Sequence, residues 1–99
     1  MIELNKITRA EFDACLGQPF EMLDDASGIT LTLAEARTLG TARPGAAREP
    51  FALKFQGPPT LRLPQRIYRL KNAQLGELEI FIVPIAANET ATEFEAIFN

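Results

Sequence analysis

Apolar residues recur along this chain at two spacings, and each spacing points to a different element. Phe12, Cys15 and Leu16 fall at i, i+3 and i+4, one face of a short helix. Thr8 followed three residues later by Glu11 reads as a capping box, with Ile7 and Phe12 placed as its hydrophobic staple. Gly17 then supplies the left-handed position that ends such a helix. The pattern predicts a helix over about residues 8–16. A helix this short cannot stand alone in water, so it must lie against a sheet.

Beyond Gly17 the spacing changes to two, the period of a strand with one buried face. Six segments carry it: "PFEML", "ITLTLAEARTL", "FALKFQG", "RIYRL", "ELEIFIVPI" and "TEFEAIF". Ile29, Leu31 and Leu33 share one face, as do Phe51, Leu53 and Phe55, then Tyr68 and Leu70, then Phe94, Ala96 and Phe98. Turn chemistry separates the segments. "DDASG" tolerates left-handed geometry, "TARPGAAREP" is the clearest loop, "PPTLRLPQ" is stiffened by proline, and "KNAQLG" closes a hairpin. Strand spacings of this kind predict a mainly β fold: about six antiparallel strands in a meander that curls into a small barrel or two-layer sandwich, with one N-terminal helix. At 99 residues the chain is read as a single domain, residues 1–99.

One strand breaks the alternation. In "ELEIFIVPI", Glu77 and Glu79 oppose Leu78 and Ile80, but from Phe81 onward both faces are apolar. Two readings compete. Phe81 and Val83 could seat Phe12 and Leu16 of the helix, which buries both faces of the strand. Alternatively, Phe81, Val83 and Ile85 form an exposed strip that docks a partner. Pro84 cannot donate a ladder hydrogen bond, so the strand is either an edge or bulged there.

Charge is unevenly spread along the chain. The first 36 residues hold two bases against seven acids, residues 37–71 hold eight bases against one acid, and residues 72–99 hold five acids and no base. Antiparallel pairing would set these segments against each other as cross-strand ion pairs. The competing reading gathers Arg43, Arg48, Arg62 and Arg66 from converging loops into a rim for small anions or anionic polymers. Nucleic acid is disfavoured, because the sequence pI is near 4.9 and the aromatic residues fall at core phases.

The catalytic inventory is thin. The chain contains no histidine and a single cysteine, Cys15, on the apolar helix face. Glu77 and Glu79 share a strand face, roughly 7 Å apart by strand rise, which is within the spacing of glycosidase carboxylates. Alternating glutamates are also the ordinary dress of a wet sheet face. Asp24 and Asp25 lie in a turn without the ligand spacing of a calcium loop. No cofactor or metal is expected, and the expectation is a non-enzymatic protein. The longest apolar run, "IFIVPIAA", is far below membrane-spanning length. With no disulfide available, a soluble chain in a reducing, cytoplasmic setting is expected.

The series "LGQPFEM", "REPFALKFQGP", "LPQRIYRL", "LGELEIFIVPI" and "FEAIFN" resembles a small bacterial family of uncharacterised β-rich domains, over about Ile7 to Asn99. The matching positions are Pro64, Gln65 and Tyr68, then Leu75, Gly76 and Pro84. Arg66 stands where the family pattern has a glycine after "PQ", which puts a left-handed turn there in question. Some members are encoded beside phage-tail-collar-type proteins. The resemblance therefore implies a protein partner of tail-like or fibre-like kind, and it carries over no catalytic residue. The resulting expectation is an interaction or assembly module, with self-association allowed. Its contacts are expected from residues 41–50, from "PPTLRLPQ", and from Phe81 and Val83; the Arg-rich rim is the alternative.

Overall fold

The computed structural model describes residues 7–23, 28–40, 44 and 49–98. Asp24, Asp25, Arg43 and Arg48 lie outside these residues, and with them most of the 41–50 loop. One helix and six strands follow in order: α1 (Arg9–Asp13), β1 (Pro19–Met22), β2 (Thr30–Thr38), β3 (Phe51–Gly57), β4 (Arg66–Asn72), β5 (Gly76–Ala87) and β6 (Thr92–Phe98). The strands are all antiparallel and close into a barrel in the order β1-β2-β3-β6-β5-β4, with β4 returning to β1. A barrel rather than a sandwich forms, and all six segments read from the alternation are strands.

The order is not that of a simple meander. β6 inserts beside β3, and β4 pairs with β5 and β1, so the chain between β3 and β4 must cross a barrel mouth. Residues 58–65 make that crossing, and Leu63 is buried beneath it. At the point of departure, a Cβ on Gly57 would stand 2.8 Å from Leu61 Cδ2 and 2.9 Å from Leu31 Cδ2. Glycine there lets the crossover lie against the strand end.

The opposite mouth is plugged by α1. Phe12 is fully buried among Phe20, Phe51 and Phe98, with ring centroids at 6.5, 5.8 and 5.5 Å. Phe51 and Phe98, register partners across β3 and β6, stack at 4.7 Å. The capping box helps to start the helix: the Thr8 backbone N–H donates to Glu11 Oε1 at 3.3 Å.

The helix ends at Asp13, short of the expected residue 16. Cys15 N–H donates to Phe12 O and Leu16 N–H to Asp13 O, a tighter i→i+3 pattern that runs on to Gly17 at φ +81°. At three residues per turn, positions three apart eclipse. Cys15 therefore follows Phe12 inward, while Leu16 follows Asp13 outward and is 47% exposed. The seat proposed for Phe12 and Leu16 on Phe81 and Val83 is thus overturned. A mouth ringed by phenylalanines buries Phe12 completely, which an outer sheet face would not do.

Pro84 and Arg66 mark the far end of the barrel. The β5–β6 register shifts between Pro84 and Ala86, so Pro84 lies at a bulge, and the strand continues to Ala87. Arg66 opens β4 as an extended residue, and among the described residues only glycines have positive φ. The left-handed turn of the family pattern is therefore not formed at Arg66.

Candidate functional site

The off-phase apolar residues lie on the outer wall of the barrel. Ile67 on β4 faces Phe81 on β5 in register, and the two are 57% and 49% exposed. Val83 follows Phe81 on the same face, half-buried, opposite Glu95 of β6. Ile97, two residues beyond Glu95, is 48% exposed. These four apolar side chains stand beside charged ones on the outer wall. Ile67 and Ile97 were legible as apolar residues in the polar phase of their strands, although neither was singled out from the sequence.

Several of the surrounding charges pair with one another. Arg37 reaches Glu95 at 3.0 Å and Glu35 at 3.7 Å, Lys54 reaches Glu35 at 3.5 Å, and Arg69 reaches Glu77 at 2.9 Å. Each base comes from the basic middle of the chain and each acid from an acidic flank, and three of the four contacts run between strands, Arg37–Glu35 lying within β2. Pairs this exposed contribute only about 0.2–1 kcal/mol each. Glu77 and Glu79 both stand on this outer wall, Glu77 held by Arg69, an arrangement that keeps a sheet face wet.

The arginines of the proposed rim have separate surroundings where they are described. Arg66 lies over the Tyr68 ring, 4.6 Å from its centroid. Arg62 projects from the crossover, and its Nη1 donates to Pro59 O at 3.2 Å and Leu61 O at 3.0 Å. Among the described residues, no three His, Cys, Asp or Glu side chains group as metal ligands, and no helix is long and apolar enough to cross a membrane.

The crossover itself is fastened at both ends. The Thr92 hydroxyl lies 2.9, 3.2 and 3.3 Å from the carbonyl oxygens of Pro58, Pro59 and Leu61, sharing its one hydrogen among them. The Tyr68 hydroxyl donates to Pro64 O at 2.6 Å. Between this strap and the bulged end of β5 opens a cavity of about 400 Å³. Ile85 belongs to this cavity, as well as to the stretch that continues from Val83.

Residues 7–98 match a family described as a domain of unknown function, DUF6916. The chain belongs to that family. No curated protein and no solved structure matches it. The DUF6916 match spans the whole barrel, from the staple residue Ile7 to the buried Phe98, so the plug, crossover and outer strip all lie within the family's bounds.

The lone thiol of this DUF6916 chain is sequestered. Cys15 is fully buried, donates to Asn72 Oδ1 at 3.6 Å, and burial raises its pKa above the ordinary thiol value. The neutral thiol is the form the fold favours, and it is a poor nucleophile. Iodoacetamide at neutral pH is expected to label Cys15 slowly in the native protein and rapidly in denaturant, read by intact mass. Because the folded-state value is raised, stability from this site holds below the ordinary thiol pKa and falls as pH rises through it. Rapid native labelling would show that the plug does not keep its seat.

Proposed function

We propose that this domain is a non-enzymatic interaction or assembly module that docks a protein partner through the outer strip of Ile67, Phe81, Val83 and Ile97. The in-register Ile67–Phe81 pair carries the reading: two large apolar side chains, about half exposed, face each other across neighbouring strands where alternation calls for polar residues. Such a pair adds little to the barrel's own core. Buried against a partner it would supply the aromatic and aliphatic centre around which protein interfaces concentrate their energy. The paired charges beside it, Arg69–Glu77 and Arg37–Glu95, suit a polar rim.

The partner is a component of a tail-like or fibre-like assembly, the setting implied by the family resemblance, and it is met in the cytoplasm during assembly. A second copy of the chain is the other partner this surface would fit. The strip's chemistry makes the contact insensitive to salt, unlike recognition through arginines.

Phe81→Asp tests this directly. Immobilised wild-type protein is expected to retain its partner from a native-host extract at high salt, and Phe81→Asp to lose at least about thirtyfold in affinity, as central aromatic anchors do. The thermal midpoint should stay within a few degrees, because position 81 faces outward. Equal capture by both proteins would overturn the assignment of the strip. Retention that vanishes with salt would favour the arginine reading instead.

A further inference from the structure

The barrel mouth beneath the crossover has the features of a ligand site, and it lies apart from the Ile67–Phe81 pair of the outer strip. The cavity of about 400 Å³ is walled by Leu61, Leu63, Pro64, Pro84, Ile85 and Phe94. This volume falls in the range of small-molecule sites, which are concave, mostly apolar and supplied with a few placed polar groups. The mouth is open to solvent, and its apolar walls give the waters that fill it few partners. An apolar body that replaced them would gain by it.

The walls are also formed in advance. Prolines at 58, 59, 64 and 84 restrict the backbone on both sides. The Thr92 and Tyr68 hydroxyls fasten the crossover at its two ends, and the fully buried Phe94 backs the walls from the core side. Little ordering entropy remains to be spent when a ligand enters.

The polar group is Arg62. Among the described residues that line the cavity it carries the single charge, with no carboxylate beside it. Its Nη1 is committed to the carbonyls of Pro59 and Leu61, which fixes the guanidinium at the rim. A guanidinium has five N–H donors, so the edge made by Nε and Nη2 keeps three for an acceptor outside the chain. A planar edge of this kind matches a carboxylate.

We infer that this mouth binds a small apolar carboxylate, with the hydrocarbon body among Leu61, Pro84 and Ile85 and the carboxylate on the Nε–Nη2 edge of Arg62. A mouth of about 400 Å³ is sized for a free medium-chain acid, and a protein terminus is the alternative that the titration separates from it. The site shares no residue with the Ile67–Phe81 pair and stands whether or not that strip docks a partner.

Amide-resolved NMR on the full chain, titrated with octanoate, 1-octanol and acetate, tests the inference. Octanoate is expected to move the Leu63, Ile85 and Thr92 amides saturably, 1-octanol to do so more weakly, and acetate to leave them unmoved. Arg62→Gln is expected to weaken octanoate about tenfold and leave 1-octanol unchanged, the loss of a charge-assisted hydrogen bond. Ile85→Asp is expected to weaken both. Both positions are exposed, so neither change threatens the fold. Octanoate that leaves these amides unmoved, or that binds Arg62→Gln as well as wild type, overturns the site. A short peptide ending in leucine that binds where octanoate does not would overturn the assignment to a free acid.

Discussion

Phe12→Ala is expected to lower the unfolding free energy by about 3–5 kcal/mol, the range for deleting a buried aromatic ring. Phe12 is fully buried and touches rings from three strands: Phe20 of β1, Phe51 of β3 and Phe98 of β6. The helix that carries it has five residues, too few to hold itself together in water. Truncation therefore removes the ring and the reason for α1 to stay docked. A domain of this size has roughly 5–15 kcal/mol in all. At about 4–8 °C per kcal/mol, the thermal midpoint should fall by at least about 12 °C. Leu16→Ala is the control, because the tight turn aims that side chain at solvent, and its cost should stay near 0.5 kcal/mol. Similar losses at the two positions in urea denaturation would contradict a plug built on Phe12.

The contrast between these neighbours shows what the sequence could and could not disclose. Alternation tells which side of a strand is wet, and that was enough to place Leu31, Leu53, Phe55, Tyr68 and Phe94 inside. It also flagged Phe81 and Val83 as anomalies. Alternation does not tell which strands are neighbours, since register energies depend on pairs from distant parts of the chain. The insertion of β6 beside β3 was therefore hidden, and with it the need for residues 58–65 to bridge a mouth.

The same gap misplaced the helix. Two apolar surfaces could have received Phe12, and only barrel closure makes one of them a ring of aromatics. Helical period three to four was assumed through Leu16, but the chain tightens after Asp13 to reach β2, where Gly17 N–H donates to Leu33 O at 2.8 Å. The crossover cavity was illegible for a similar reason. Its walls come from the 61–64 segment, the β5 bulge and the start of β6, which no local pattern connects. Arg62 was visible as a charge, whereas its apolar surroundings were not.

Asn72→Leu is expected to cost about 2–4 kcal/mol despite replacing one buried side chain by another of similar size. Asn72 is 1% exposed at the end of β4. Its Oδ1 accepts from the backbone N–H groups of Gln74 and Leu75 at 2.8 and 2.9 Å, which shapes the turn before Gly76. Its Nδ2 donates to Gln18 Oε1 and Pro19 O, both at 3.1 Å, tying that turn to Gln18 and the start of β1. Leucine fills the space but leaves the buried Leu75 N–H without a partner, at about 1–3 kcal/mol, and strips the part-buried Gln74 N–H and Pro19 O of theirs at a smaller cost. Asn88 provides the comparison within the same molecule. Its Oδ1 accepts from Thr90 N–H and Ala91 N–H at 2.8 and 3.0 Å, an equivalent turn, but on an exposed loop where water can take over. Asn88→Leu should therefore cost under about 1 kcal/mol. If urea denaturation gave the two substitutions equal costs, turn geometry alone would account for Asn72; a large difference assigns the energy to its burial and to the strap it makes across the barrel's plugged side.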